Sequence, residues 1–159
     1  MFIRFSDQET INTFAPTATN TAGSQRLQDG TKIMGAIKAK DNILVWTDTA
    51  LYTMKHVGAP FTFGFEQVGT NCGLIGQNAV VEIDGVAYWM STKGFFLFDG
   101  TVKSLSCSIE DYVYDDIDTT KVNNSVQLSI IYLPKLYGIT RLQDPITMIV
   151  MPFIIMENL

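Results

Sequence analysis

The stretches AIKAKDNILVW (residues 36–46) and AVVEIDGVAYW (residues 79–89) align without gaps at an offset of 43, and each reads as strand, turn, strand, tryptophan. The match runs on past Trp46 and Trp89, residues 47–52 against 90–96, with one residue of slack at Lys93-Gly94. A third strand therefore follows each tryptophan. A repeat of about 40–45 residues whose unit is a small antiparallel sheet is what propeller blades show, because one blade cannot bury both of its faces and must stack on neighbours. The pattern also fits a plain antiparallel sandwich whose hairpins look alike.

Outward from the repeat, short β-branched and aromatic runs fill residues 43–47, 51–54, 61–65, 79–83, 86–90, 95–98 and 101–105, all of strand length. Asp41-Asn42, Asp84-Gly85 and Asp99-Gly100 separate several of them, and Asp-Gly tolerates the positive φ angles of a two-residue hairpin. Residues 10–30 are punctuated by Asn12, Pro16, Asn20, Gly23, Asp29 and Gly30 and read as loop. The expected fold class is mainly β, an antiparallel meander of incomplete β-propeller-like blades with a short helix near 108–118. At about 43 residues per blade, 159 residues hold fewer than four blades, where propellers have four to eight. Unpaired edges and aggregation are expected of such a chain alone.

The chain carries 16 acidic and 11 basic side chains, a net charge of −5, and is 47% hydrophobic but only 17% charged. This excludes an acidic disordered tail, which needs low hydrophobicity. It also argues against a broad phosphate-binding surface, which needs clustered Lys and Arg. Cys72 and Cys107 stand 35 residues apart with no C-x-x-C or Cys/His spacing, so two buried thiols are expected in place of a zinc site or disulfide framework. Residues 1–10 lack the order of a secretory signal. The longest apolar run, residues 146–156, is far short of the roughly 20 residues of a membrane-spanning helix, and the chain reads as soluble.

His56 is the only histidine and follows a strand beside Lys55. A Cys-His dyad with Cys72 needs hydrogen-bond reach and a stabilised thiolate, and nothing in the spacing favours that over an exposed turn histidine. Glu110, Asp111, Asp115, Asp116 and Asp118 form the most charged stretch, without the alternating ligands and Gly of a calcium loop. On a helix, Ile109, Tyr112, Val113 and Ile117 would face the core and most of the acids water. Gly64, Gly69, Gly73 and Gly76 lack both G-x-G-x-x-G and a following Lys-Ser or Lys-Thr, so they read as inter-strand corners. Trp46 and Trp89 can stack on a sugar or base, but their matched positions make them packing aromatics first. No catalytic, cofactor-binding or metal-binding residue is assigned, and no cofactor is expected.

The runs Ser6-Asp7-Gln8-Glu9, residues 16–23 (PTATNTAG) and residues 43–54 (ILVWTDTALYTM) resemble the N-terminal part of a family of tailed-bacteriophage virion proteins. Further matches are residues 57–63 (VGAPFTF), 76–80 (GQNAV), Tyr88-Trp89-Met90, Phe98-Asp99-Gly100 and residues 112–117 (YVYDDI). The resemblance covers residues 6–123, and the family's members are longer than this chain. It implies a structural, nozzle-like tail or neck component, a non-enzymatic assembly subunit of the virion, put together in the host cytoplasm. Its partners would be other virion subunits, with homo-oligomerisation of the full-length form, no specific nucleic-acid binding and no membrane. No catalytic residues come with the resemblance. The alternative is a carbohydrate-binding or glycoside-acting β-propeller or sandwich module for host-surface recognition, which needs exposed aromatics beside Asp or Glu in a cleft.

Beyond Asn123 the chain departs from the family. The domain reading is residues 1–123 as a partial propeller-like domain and residues 124–159 as an atypical C-terminal segment. With permitted codons, residues 134–156 read from the third base of each codon give E-I-I-W-N-Y-P-S-A-G-S-N-N-N-D-S-Y-A-I-Y-N-Y. That product has two alternating strands around a Ser/Gly/Asn loop, and the resemblance leads one to expect a W-x-Y-P-S segment with a later Y-N-Y. The C-terminal segment is accordingly read as frame-shifted, an expectation that the nucleotide sequence decides.

Overall fold

The computed structural model describes residues 1–107 and 110–116, with three further strands near the C-terminus. The chain divides into two compact units, Met1–Gly73 and Leu74–Leu159. The division falls inside residues 1–123, and each unit holds one of the two tryptophan-marked sheets.

In the first unit, β1 (Phe2–Phe5) and β2 (Gly23–Arg26) form a two-stranded antiparallel ladder, Phe2 opposite Arg26 through Phe5 opposite Gly23. β2 corrects the reading of residues 10–30 as unbroken loop. Its sequence, GSQR, offers no apolar alternation, so its strand state comes from backbone pairing with β1 and not from a buried face. The main sheet is a meander of β3 (Ile33–Lys38), β4 (Ile43–Thr47), β5 (Ala50–His56) and β6 (Phe63–Thr70), antiparallel and in that spatial order. Asp48-Thr49 makes the β4–β5 turn, held by the Ala50 N–H donating to Thr47 Oγ1 at 2.8 Å. Gly69 sits at a register shift, Leu51 opposite Gly69 but Tyr52 opposite Gln67, the position of a β-bulge.

Residues 44–47 of β4 and 50–54 of β5 are buried on both faces of this sheet. On one face Val45, Ala50 and Tyr52 cluster with Leu27, and Met1, Ile3 and Ile43 pack around them. The β1–β2 ladder and the residue after it therefore cover that face. The other face carries Leu44, Trp46 and Leu51, all fully buried. Burying a side chain of this size stabilises by about 1.5–3 kcal/mol.

In the second unit, β7 (Val80–Ile83), β8 (Val86–Ser91), β9 (Gly94–Phe98) and β10 (Val102–Leu105) again run as a four-stranded antiparallel meander. Asp84 (φ 52°) and Gly85 (φ 87°) both take the left-handed conformation between the paired Ile83 and Val86, as a two-residue hairpin requires. Trp89 is buried and its ring stacks on cross-strand Phe96, centroids 5.8 Å apart at 19°. Trp46 and Trp89 thus hold the same place, the second strand of a four-stranded meander. The fold is mainly β and antiparallel, with one short helix among the described residues.

That helix is α1 (Glu110–Asp116). Val113 is fully buried, as expected, but Tyr112 is 60% exposed and does not face the core. Tyr114 turns inward instead. At about 100° per residue, Glu110, Val113 and Tyr114 share one side of so short a helix, while Tyr112 lies beyond it. Ile109, Ile117 and Asp118 lie outside the described residues. Of residues 124–159, β11 (Ile131–Tyr132), β12 (Leu136–Arg141) and β13 (Met148–Phe153) form an antiparallel sheet in that order, Ile131 opposite Tyr137 and Ile139 opposite Val150. The rest of the segment read as frame-shifted lies outside the described residues.

Candidate functional site

The residues that define a site lie in the first unit, where the ends of β1, β2, β5 and β6 meet two loops. β6 alternates, so Phe63, Phe65 and Gln67 share the face that carries Met54 and Tyr52 on β5. Phe5, at the end of β1, packs its ring edge-on against Phe63, centroids 4.9 Å apart at 73°, and lies 6.4 Å from Phe65 at 26°. Gly23 makes this possible. It pairs with Phe5, and a Cβ placed on it would stand 2.4 Å from the Phe5 ring, so the absent side chain leaves the surface on which the ring rests.

The residues after β1 and before β2 form one wall, tied together by side chain to backbone bonds. Asp7 Oδ1 accepts the Thr21 N–H (2.8 Å), the Thr21 hydroxyl (2.7 Å) and the Gln8 N–H (2.9 Å). The two bonds from Thr21 hold the Asp7 carboxyl below its ordinary range against the opposing effect of desolvation, with the Gln8 N–H adding to them. Asn20 accepts the Thr17 N–H and donates to the Ala15 carbonyl, each at 2.8 Å. The residues between β5 and β6 form the opposite wall, closed by the Val57 N–H donating to the Thr62 carbonyl at 3.1 Å. The Thr62 hydroxyl donates across to the Thr21 carbonyl at 3.1 Å.

Between the walls lies an open cleft of about 890 Å³. Phe5, Phe63 and Phe65 line it, Phe61 reaches it with 73% of its surface exposed, and Asp7, Gln8, Asn20, Thr21, Ser24 and Gln25 supply polar groups. No Lys or Arg lines it. A smaller hollow of about 180 Å³ is floored by Tyr52, Phe65 and Gln67. There the Tyr52 hydroxyl accepts the Asp29 N–H (2.9 Å) and donates to Gln67 Oε1 (3.3 Å), and Gln67 Nε2 returns to Asp29 Oδ2 (2.6 Å), closing a ring that pins the chain after β2.

The residues singled out in the sequence are dispersed by comparison. His56 stands exposed at the end of β5, ring centroid 5.7 Å from Phe63, and lines the cleft. Cys72 is fully buried, and burial pushes its thiol up, away from the thiolate that nucleophilic work needs. Cys107 is half-buried, not buried as expected. Glu110, Asp111 and Asp115 lie along α1, and no group of three or more metal-binding side chains occurs among the described residues. Gly73 is a close-approach position, its backbone against the Asp48–Thr49 turn, and Gly64 and Gly69 lie within β6. Among the described residues no helix is long and apolar enough to cross a membrane.

Phe5, Asp7, Gln25 and Phe61 were not among the sequence candidates. The alternation Phe61-Thr62-Phe63-Gly64-Phe65 was a visible signal for one wall; nothing local says that residues 5–8 and 20–25 face it. No protein-family model matches the chain, and no curated protein matches it.

Proposed function

We propose that the chain is a non-enzymatic assembly subunit of a tailed-phage tail or neck, working by packing its sheets against other virion subunits. One observation carries the reading: two consecutive four-stranded antiparallel meanders, each with a buried tryptophan on its second strand. A repeated sheet module buries its faces by stacking on others of its kind. The outer strands of each meander keep one unpaired ladder side within their sheet, and such edges must be covered or paired in a finished assembly. The resemblance of residues 6–123 to virion proteins supplies the setting. A net charge of −5 suits a wall past which DNA moves, since an acidic surface does not hold a polyanion.

The test is mass spectrometry of phage particles banded from lysates of the strain that carries the gene. Peptides of this chain, in constant proportion to the major tail proteins across gradient fractions, are the expected result. Particles that are intact and infectious but free of these peptides would overturn the assignment, as would micromolar affinity of the chain for duplex DNA at physiological salt.

A further inference from the structure

We propose that the cleft between the residue 6–22 wall and the residue 57–62 wall binds a neutral oligosaccharide. This goes beyond assembly and does not depend on it. A sugar ring presents apolar C–H faces flanked by hydroxyls that both donate and accept. Its ideal site pairs an aromatic face with planar amides and a carboxylate. The cleft offers that set in one place: the Phe61 ring, 73% exposed with no burial to account for a phenylalanine there, the Phe63 ring in the same lining, the Gln8 and Gln25 amides, and the Asp7 carboxylate. The negative face of an aromatic ring attracts the slightly positive C–H groups of a sugar. Asp7 is already ordered, because three donors converge on Oδ1. Its Oδ2 is left to accept from a ligand, and a preordered acceptor loses little entropy on binding.

Charge narrows the ligand. A phosphate, sulfate or sialic acid calls for Arg or Lys, and the lining has neither, His56 being its only basic side chain, while it does hold Asp7. Size narrows it further. At about 890 Å³ the cleft falls at the upper end of small-ligand sites, suited to a few sugar units. It is too polar along its residue 6–22 wall to serve as a groove for an apolar helix.

The experiment is a glycan array carrying neutral, sialylated and sulfated glycans, probed with the full chain, followed by calorimetric titration of each hit. The expected result is retention of neutral oligosaccharides, with an affinity that does not fall as salt is raised. Phe61→Ala should weaken binding by about tenfold or more and leave thermal unfolding unchanged, because the ring is exposed; Phe61→Tyr should retain binding. An array without neutral hits, binding confined to sialylated or sulfated glycans, or neutral binding that Phe61→Ala leaves unaltered would each overturn the proposal.

Discussion

Tyr114 on α1 is bonded to both ends of the β8–β9 turn: its hydroxyl donates to the Ser91 carbonyl at 2.5 Å and accepts the Gly94 N–H at 3.1 Å. Ser91 and Gly94 are themselves paired across that turn. One phenol therefore closes a hairpin and docks a helix, and Gly94 (φ 131°) leaves room for Glu110, whose Oε1 would lie 2.8 Å from a Cβ there.

Tyr114→Phe should cost about 1–3 kcal/mol, because it leaves a carbonyl and an N–H in a water-poor place without their partner. Burial, chiefly, holds the Tyr114 hydroxyl well above its ordinary value of 10.0. The unfolded chain thus releases this proton at lower pH than the folded one, so stability falls as pH rises past about 10. Tyr88 is shifted the same way by burial, then by Asp99 and Asp84. Urea denaturation across alkaline pH should show a slope that Tyr114→Phe reduces without abolishing. An unchanged slope would mean that the hydroxyl is not held in this site.

Asp48 at the β4–β5 turn makes the opposite prediction in acid. Partial burial opposes its charge, but the Thr31 hydroxyl (2.6 Å) and N–H (2.7 Å) donate to the carboxylate and bring it below the ordinary 3.8. The stabilisation is present in full above that value and lost as pH falls through the lower folded value. Asp48→Asn should cost about 1 kcal/mol at neutral pH, since the site is near the surface. It should also flatten the acid limb of the stability curve, which a denaturant series between neutral pH and strong acid would measure.

Much of the fold was legible because its signals are local. Asp84-Gly85 fixes a hairpin by the backbone angles it permits, and residues 43–47 mark a strand by five consecutive residues that suit burial. β2 was not legible because GSQR is held by pairing with Phe2–Phe5, some twenty residues away. Tyr112 and Tyr114 flank Val113 symmetrically on a helical wheel. Only the hairpin that α1 meets decides which one turns inward. The cleft was hidden for the same reason, since Asp7, Thr21 and Thr62 are brought together by long-range hydrogen bonds that no single stretch announces.

Glycine positions separate two costs. A Cβ on Gly73 would stand 2.2 Å from the Asp48 carbonyl and 2.4 Å from the Thr49 nitrogen, all backbone. Gly73→Ala should therefore cost about 3 kcal/mol, as overpacking against atoms that cannot rotate away does. Gly58 (φ 78°) has nothing within 4 Å of the same position, so Gly58→Ala should cost only the left-handed strain of about 1–2 kcal/mol. Equal losses in thermal or urea unfolding would show that the Gly73 approach is not tight.

The two tryptophans, the only ones in the chain, give each unit its own reporter. Trp46→Phe leaves Trp89 to report the second sheet, and Trp89→Phe leaves Trp46 to report the first. Both indoles are fully buried, so each variant should emit in the blue, resist quenching by acrylamide and shift to the red only on unfolding. Trimming an indole to a phenyl ring leaves a gap that the close-packed neighbours fill only in part, costing about 2 kcal/mol. If the sheets are copies of one module, the two losses should be of similar size. A variant whose remaining tryptophan is red-shifted and freely quenched in buffer would contradict the burial on which the repeat rests.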